Sequence, residues 1–201
     1  HDHAVIGILS GDVGEAIADF NFMFDRSDTL MVWKQELLKQ NADVHQNALI
    51  ALRFLQERHP DDSYVIVNHP SRKLKYTIAD LRDFNTAAPE IVIGFEGIPG
   101  HQKNPGKRCK YDYDLGDRIS YHSKTYGGAD FVLASVGGVW DSMLGEGRKF
   151  WVFASSDFHR SSEDDWPGEY AADHIWTERR DSASLLKGIR SGKSFVTTGN
   201  L

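Results

Sequence analysis

Residues 150–159 read Phe-Trp-Val-Phe-Ala-Ser-Ser-Asp-Phe-His, an apolar run that ends in an acid and a histidine. A short continuous hydrophobic run is typical of a strand that is buried in a parallel sheet. Because residues two apart on a strand point to the same side, we expect Asp157 and His159 to present a carboxylate and an imidazole together. These groups are suitable ligands for Zn, Mn or Fe. The segment therefore predicts a strand with a candidate metal site at its end.

Two further apolar runs end in the same way. His69 closely follows the run at 64–67, and Glu96 directly follows the run at 91–95. In parallel α/β folds, ligands and catalytic groups gather at the carboxyl ends of the strands. Three successive reactive endings on one edge predict a metal or catalytic site there.

Helical patterns alternate with the apolar runs. The strands are predicted at 4–9, 64–67, 91–95, 149–154, 174–177 and 194–197, and the helices at 30–39, 43–58, 77–84, 129–144 and 181–189. This alternation predicts an α/β fold with parallel strands, and a chain of 201 residues fits a single domain over 1–201. Residues 97–128 are rich in Gly, Pro, Lys, Arg and Tyr without a period, which predicts a long loop insertion.

Composition limits the partners. With 23 basic and 29 acidic residues the net charge is −6, which favours neither nucleic acid nor an anionic membrane surface. The single cysteine, Cys109, excludes an internal disulfide and a cysteine-based zinc site.

The composition is ordinary for a soluble globular protein, and both a cytoplasmic and an exported location stay open. Because the chain opens at His1 without a methionine, we expect it to be a portion of a longer protein.

Several other side chains are candidates for the same site. His1 and His3 form a second pair two residues apart beside a predicted strand, although a terminal dipeptide or a tag remnant explains them equally well. His101 follows Glu96 closely enough to reach the same edge. Arg72 and Arg160 would neutralise an anionic substrate; the alternative for both is ordinary solvated loop charge.

Motifs for other chemistries are absent from the sequence. It contains no Gly-x-Gly-x-x-Gly loop, no P-loop and no Gly-x-Ser-x-Gly elbow, so nucleotide-binding and serine-hydrolase interpretations have no support. Ser155 and Ser156 lie near His159, but neither an orienting acid nor an oxyanion loop is visible for a serine nucleophile.

Four segments together resemble a known superfamily. They are Val-Ile-Val-Asn-His-Pro at 65–70, Gly-Val-Trp-Asp-x-Met-Leu-x-x-Gly at 138–147, Ser-Asp-Phe-His at 156–159 and the stretch at 185–199. Their order is similar to that of the PHP (polymerase and histidinol phosphatase) superfamily, over roughly residues 60–200. Within it, the arrangement most resembles the metallohydrolase branch that includes carbaryl hydrolase.

The resemblance implies a distorted seven-stranded (βα) barrel that holds two or three divalent metals (Zn, Mn or Fe) at its C-terminal face. It also implies a hydrolase, most often a phosphoesterase and sometimes a carbamate or ester hydrolase. On this pattern His69 ligates one metal, Asp157 a second and His159 a third or a phosphate-side metal. One of His1 and His3 pairs with His69, and the resemblance does not say which.

The beginning of the chain departs from that pattern. The superfamily has an early His-x-His, then an Asp-His and a bridging Glu, all before the position of His1. Either the N-terminal strands of the barrel are missing from this chain, or His1 and His3 are themselves the early pair and the later motifs are lost. A barrel without those strands would lack part of its ligand set and would be inactive.

Three functions follow as expectations. The first is a divalent-metal-dependent hydrolase, specifically a phosphoesterase acting on a small anionic or ester substrate. In it Asp157 holds a metal or orients the nucleophile, and His159 ligates a metal or protonates the leaving group. The second is a carbamate, ester or amide hydrolase of the same fold. The third is a non-catalytic ligand-binding barrel whose aromatic side chains stack on a ligand, namely Tyr111, Tyr113, Trp140 and Trp166.

Overall fold

The computed structural model describes nine ranges of the chain. They are residues 4–8, 13–24, 44–71, 76–100, 125–126, 129–158, 161–162, 166–169 and 171–198. The helix predicted at 30–39 and residues 101–124 of the predicted loop insertion lie outside these ranges.

The described residues form eight strands and six helices. In chain order they are β1 (Ala4–Ile8), α1 (Val13–Phe24), α2 (Val44–Arg58), β2 (Ser63–Val67), α3 (Ile78–Ala87), β3 (Val92–Pro99), β4 (Thr125–Tyr126), β5 (Ala129–Asp130), α4 (Phe131–Ala134), α5 (Val139–Gly145), β6 (Trp151–Ser155), β7 (Ala171–Ile175), α6 (Ser182–Ser191) and β8 (Ser194–Thr198). None of these helices is long and apolar enough to cross a bilayer.

The central sheet has four strands in the order β1-β2-β3-β6. Strands β2, β3 and β6 run parallel, so their carboxyl ends lie at one edge, whereas β1 is antiparallel to β2. The remaining strands form two antiparallel pairs, β4 with β5 and β7 with β8.

The predicted distorted seven-stranded barrel is wrong. Within the described ranges the sheet does not close, because β1 lies antiparallel at one edge and β7 pairs with β8 instead of extending the sheet beyond β6. The expectation that the N-terminal strands of such a barrel are missing is withdrawn with it. The chain is a mixed α/β structure. Reactive residues at the carboxyl ends of parallel strands are common to barrels and open sheets, so that signal alone does not distinguish the two.

Apolar packing on both faces makes this sheet the middle layer of the molecule. On one face, strand side chains pack with those of α2 and α3, including Val65, Val92, Phe95, Leu52, Leu55, Leu81 and Phe84. On the other face the cluster is Ile66, Ile93, Phe153 and Ile189, the last from α6. Each large apolar side chain buried in this way contributes about 1.5–3 kcal/mol, and the three parallel strands are held firmly between the two layers.

Local sequence signals explain the helix boundaries. Thr77 and Asp80 form a capping box at the start of α3, which ends at Ala87 and not at the predicted residue 84. The helix predicted over 129–144 is instead two helices, α4 and α5, separated by a turn in which Gly137 has φ +71°. A glycine takes this left-handed conformation at no steric cost and so interrupts the helix.

Candidate functional site

The carboxylate of Glu96 links the ends of three strands. Its side chain is 2% exposed, and it lies inside β3, three residues before the end of the strand, at a register shift in the pairing with β6. The backbone N–H of His69, after β2, donates to Glu96 Oε2 at 2.9 Å. The hydroxyl of Ser155, the last residue of β6, donates to Glu96 Oε1. Glu96 therefore fixes β2 and β6 relative to β3 at the edge where their carboxyl ends meet.

His69 and Asp157 have unusual backbone conformations. Their φ angles are +24° and +46°, and among the described residues no other non-glycine residue has a positive φ. Such conformations cost on the order of 1–3 kcal/mol each and persist only where the surroundings enforce them. At Asp157 one such contact is the hydrogen bond from its own N–H to Ser155 Oγ, 3.2 Å long.

The geometry of Asp157 differs from the strand alternation that the sequence predicts. Strand β6 ends at Ser155, so Asp157 lies beyond the strand and its left-handed backbone turns the chain. His159, the other member of the predicted pair, lies outside the described residues. Five other predicted site residues do so as well: His1, His3, Arg72, His101 and Arg160.

The loop after His69 is anchored by a second buried acid that the sequence did not indicate. Asp130 is fully buried, and its carboxylate accepts hydrogen bonds from the N–H and the hydroxyl of Ser71. It also accepts from the N–H of Val132 at 2.9 Å and so caps α4. The segment from His69 to Ser71 is thereby held at its first residue by Glu96 and at its last by Asp130.

The ends of β3 and β6 approach each other closely. A Cβ atom on Gly100 would lie 2.7 Å from the backbone oxygen of Ser156, closer than real Cβ contacts allow. Glycine is therefore required directly after β3, next to the segment that carries Asp157.

Several side chains at this edge are of types that bind divalent metals. His69, Glu96 and Asp157 offer an imidazole and two carboxylates, and Asn68 Oδ1 is buried without a hydrogen-bond partner among the described residues. A buried oxygen of this kind calls for a ligand, an ion or a water. Within the described ranges, however, no three His, Cys, Asp or Glu side chains are grouped closely enough to hold a metal. A complete metal site requires ligands from outside those ranges.

Two of the aromatic side chains predicted to stack on a ligand are described, and they differ. Trp140 packs against the core, with its ring centroid 6.1 Å from that of Phe95 and its indole N–H donating to Phe150 O at 2.8 Å. Trp166 is 53% exposed and lies against Phe158, with ring centroids 4.7 Å apart. Of these two, Trp166 is the one whose ring is exposed to solvent, and it contacts Phe158, the residue that follows Asp157. Tyr111 and Tyr113 lie outside the described residues.

Asp173 is a further residue at this edge that sequence reasoning missed. Its Oδ1 accepts a hydrogen bond of 3.0 Å from the N–H of Ala154 in β6. Burial raises the pKa of Asp173 to about 6, although the hydrogen bond from Ala154 and the nearby His174 both act to lower it. Burial and the charge of Asp173 also raise the pKa of Tyr64. Asp173 lies on the inward side of β7 in the structure, whereas the sequence predicts a strand that begins only at His174 and so leaves Asp173 outside it.

The raised pKa of Asp173 predicts a pH-dependent stability. Because the folded pKa of about 6 exceeds the unfolded value of about 3.9, this group favours the folded state below about pH 4 and loses that contribution as pH rises through 6. The variant Asp173→Asn stays neutral and can still accept from Ala154. We expect it to match the wild type at pH 3 and to exceed it at pH 8 by roughly 1–2 kcal/mol. Denaturant unfolding at both pH values measures the difference in unfolding free energy between the variant and the wild type. The same difference at the two pH values would contradict the prediction.

Comparison of the chain with protein-family models, with curated proteins and with solved structures finds no match. Function is accordingly inferred from the residues and the geometry of this chain.

Proposed function

We propose that this protein is a divalent-metal-dependent hydrolase, specifically a phosphoesterase acting on a small anionic or ester substrate. The observation that carries the proposal is the pair of positive-φ residues, His69 and Asp157, at strand ends that Glu96 links together. Enforced backbone strain clusters at functional sites because it holds side chains in the orientation that the chemistry needs. Both strained residues, a histidine and an aspartate, are of types that commonly serve as metal ligands.

The resemblance to the PHP superfamily is a second, independent support. Its segments at 65–70 and 156–159 contain the same two strained residues that the backbone geometry singles out. Since the described strands do not close into a barrel, the resemblance bears on the chemistry of this edge and not on the architecture.

Under this proposal His69 and Asp157 hold two or three Zn, Mn or Fe ions together with His159 and one of His1 and His3. When bound, such ions supply a hydroxide nucleophile near neutral pH and stabilise the charge that develops on the substrate. The buried Oδ1 of Asn68 accepts a hydrogen bond from a bound water or from a substrate hydroxyl at the same edge.

The residues of the chain have separate tasks in this scheme. Glu96 is a positioning residue, since one of its oxygens orients the backbone of His69 and the other orients Ser155. The Ser155 hydroxyl in turn accepts from the N–H of Asp157 and so fixes the turn that presents its carboxylate. His159 protonates the leaving group or completes the ligand set.

Two other functions remain candidates. A carbamate, ester or amide hydrolase would use the same edge and differ only in the substrate that it accepts. A non-catalytic ligand-binding protein is favoured by one observation, the exposed Trp166 that lies against Phe158 next to Asp157. An aromatic pair of this kind stacks on apolar or planar parts of a ligand.

Metal analysis and an ester panel test the proposal. We expect the purified protein to bind Zn or Mn in at least equimolar amount and to hydrolyse p-nitrophenyl phosphate or a diester after addition of metal. A chelator should abolish this turnover, and re-addition of metal should restore it. Turnover of carbamate or carboxylic esters alone would favour the second candidate. A protein that binds no metal and is inert on every ester would overturn the proposal.

A further inference from the structure

Strand β6 has an open edge beside the candidate site. Its ladder to β3 uses one side, and no strand of the described residues pairs with the other side. Unpaired backbone groups on a strand edge are costly when they are shielded from water, so each one needs a partner.

The partner of one such group comes from β7. This strand lies against β6 but pairs with β8, and it contributes a side chain instead of a backbone ladder. Asp173 Oδ1 accepts a hydrogen bond of 3.0 Å from the N–H of Ala154. The carboxylate thereby replaces the backbone carbonyl that a neighbouring strand would offer at this position. Asp173 is half-buried, between Ala171 and Ile175 on the inward side of β7.

The position of this bond connects it to the site. Ala154 directly precedes Ser155, whose hydroxyl donates to Glu96 and accepts from the N–H of Asp157. A shift of the β6 backbone at Ala154 would therefore move both contacts. The ladder to β3 restrains Ala154 from one side, and among the described residues the Asp173 carboxylate is the hydrogen-bond acceptor that restrains it from the other.

We propose that Asp173 is a positioning residue of the candidate site, which holds the end of β6 so that Ser155 and Asp157 keep their places beside Glu96. This inference rests on the proposed function for its catalytic meaning, but its structural part stands on the hydrogen bonds alone. It assigns a role in the site to the β7–β8 pair, which otherwise only packs on the sheet.

Burial of Asp173 supports a specific role. A buried carboxyl costs free energy when it ionises, and its neighbour Tyr64 adds no positive charge that would offset the cost. An asparagine has the same shape and would satisfy the Ala154 N–H at a lower desolvation cost. The carboxylate makes the stronger, charge-assisted bond, which suits a position where the backbone must not move.

The test compares Asp173→Ala, Asp173→Asn and a matched control. The control is Asp181→Ala, because Asp181 also accepts a backbone N–H, from Ser184 at 2.8 Å, but does so at the start of α6. Amide hydrogen exchange at residues 154–157 is measured on the metal-free proteins. Zinc affinity is then measured by titration with Zn²⁺ alone, and kcat and KM on the best ester of the panel.

We expect Asp173→Ala to raise amide exchange at Ala154 and Asp157 by about 10-fold and to weaken zinc binding by about 10-fold. The Asp173→Asn variant keeps the acceptor and should stay within about 3-fold of the wild type in both measurements. The Asp181→Ala variant should lose stability without a change at either amide or in zinc affinity. In kinetics, Asp173→Ala should lower kcat more than it raises KM, since the substrate contacts remain.

Three results would overturn the inference. They are unchanged amide exchange at Asp157 in Asp173→Ala, wild-type zinc affinity in that variant, and changes in exchange and zinc affinity in Asp181→Ala that are as large as those in Asp173→Ala. If the wild type binds none of Zn, Mn and Fe and is inert on every ester, the proposed function fails, and the exchange data decide the positioning role separately. A rise in exchange at Asp157 with Asp173→Ala but not with Asp181→Ala would then still support it, and no rise would overturn it.

Discussion

Replacing Asp157 by asparagine is expected to reduce metal-dependent turnover on the order of 1000-fold and leave the fold intact. Asparagine has nearly the same shape and tolerates the positive φ of +46° at this position, so the turn after β6 should persist. The change removes the negative charge that the proposed metal site needs, and an amide oxygen is a much weaker ligand for Zn or Mn. The loss should therefore fall on kcat and on metal content together.

A matched variant separates this effect from a general loss of charge. Asp83→Asn makes the same change at a side chain that is 58% exposed and pairs with His45 on the surface. It should leave kcat/KM and metal stoichiometry at wild-type values. Circular dichroism and thermal unfolding confirm that both variants fold. Turnover of Asp157→Asn within tenfold of the wild type would mean that the reaction does not depend on this carboxylate.

The sequence predicted that polar side chains follow the strands at this edge, because that placement depends on short-range patterns. A buried apolar run followed by a polar side chain identifies the end of a strand, and His69, Glu96 and Asp157 were found in this way. The structure brings His69 and Glu96 into direct contact, although the sequence alone gives no register between β2 and β3. Strand ends were less well predicted, since β3 continues past Glu96 to Pro99.

Long-range pairing was beyond the sequence. Nothing in the run at 4–8 distinguishes an antiparallel edge strand from the first strand of a barrel, because both are short and apolar. The positive φ angles of His69 and Asp157 are equally invisible, since neither is a glycine. The role of Asp173 depends on which strand lies beside β6, and that is decided by packing around α6 rather than by local pattern.

Replacing Phe95 by alanine is expected to cost about 3–5 kcal/mol of unfolding free energy, the largest stability effect of any substitution considered. Phe95 is fully buried in β3 and contacts Trp140. It also stacks on Phe150, with the two ring centroids 5.5 Å apart and the ring planes inclined by 14°. Removing the ring leaves a cavity between the sheet and α5 that these neighbours cannot fill, because they are held by their own contacts. Urea unfolding at pH 7 measures the loss, which is a large share of the roughly 5–15 kcal/mol that stabilises a domain.

The control for this prediction is the same substitution at Phe195, in β8. Its side chain is 60% exposed and stacks on His174 across the strand pair, with ring centroids 4.7 Å apart. Phe195→Ala therefore loses one cross-strand contact and should cost below about 1 kcal/mol. Equal costs at the two positions would contradict a core centred on β3. A large difference would mean that the packed core includes β3 and not the exposed face of β8, so that Glu96, the next residue along β3, is supported by that core.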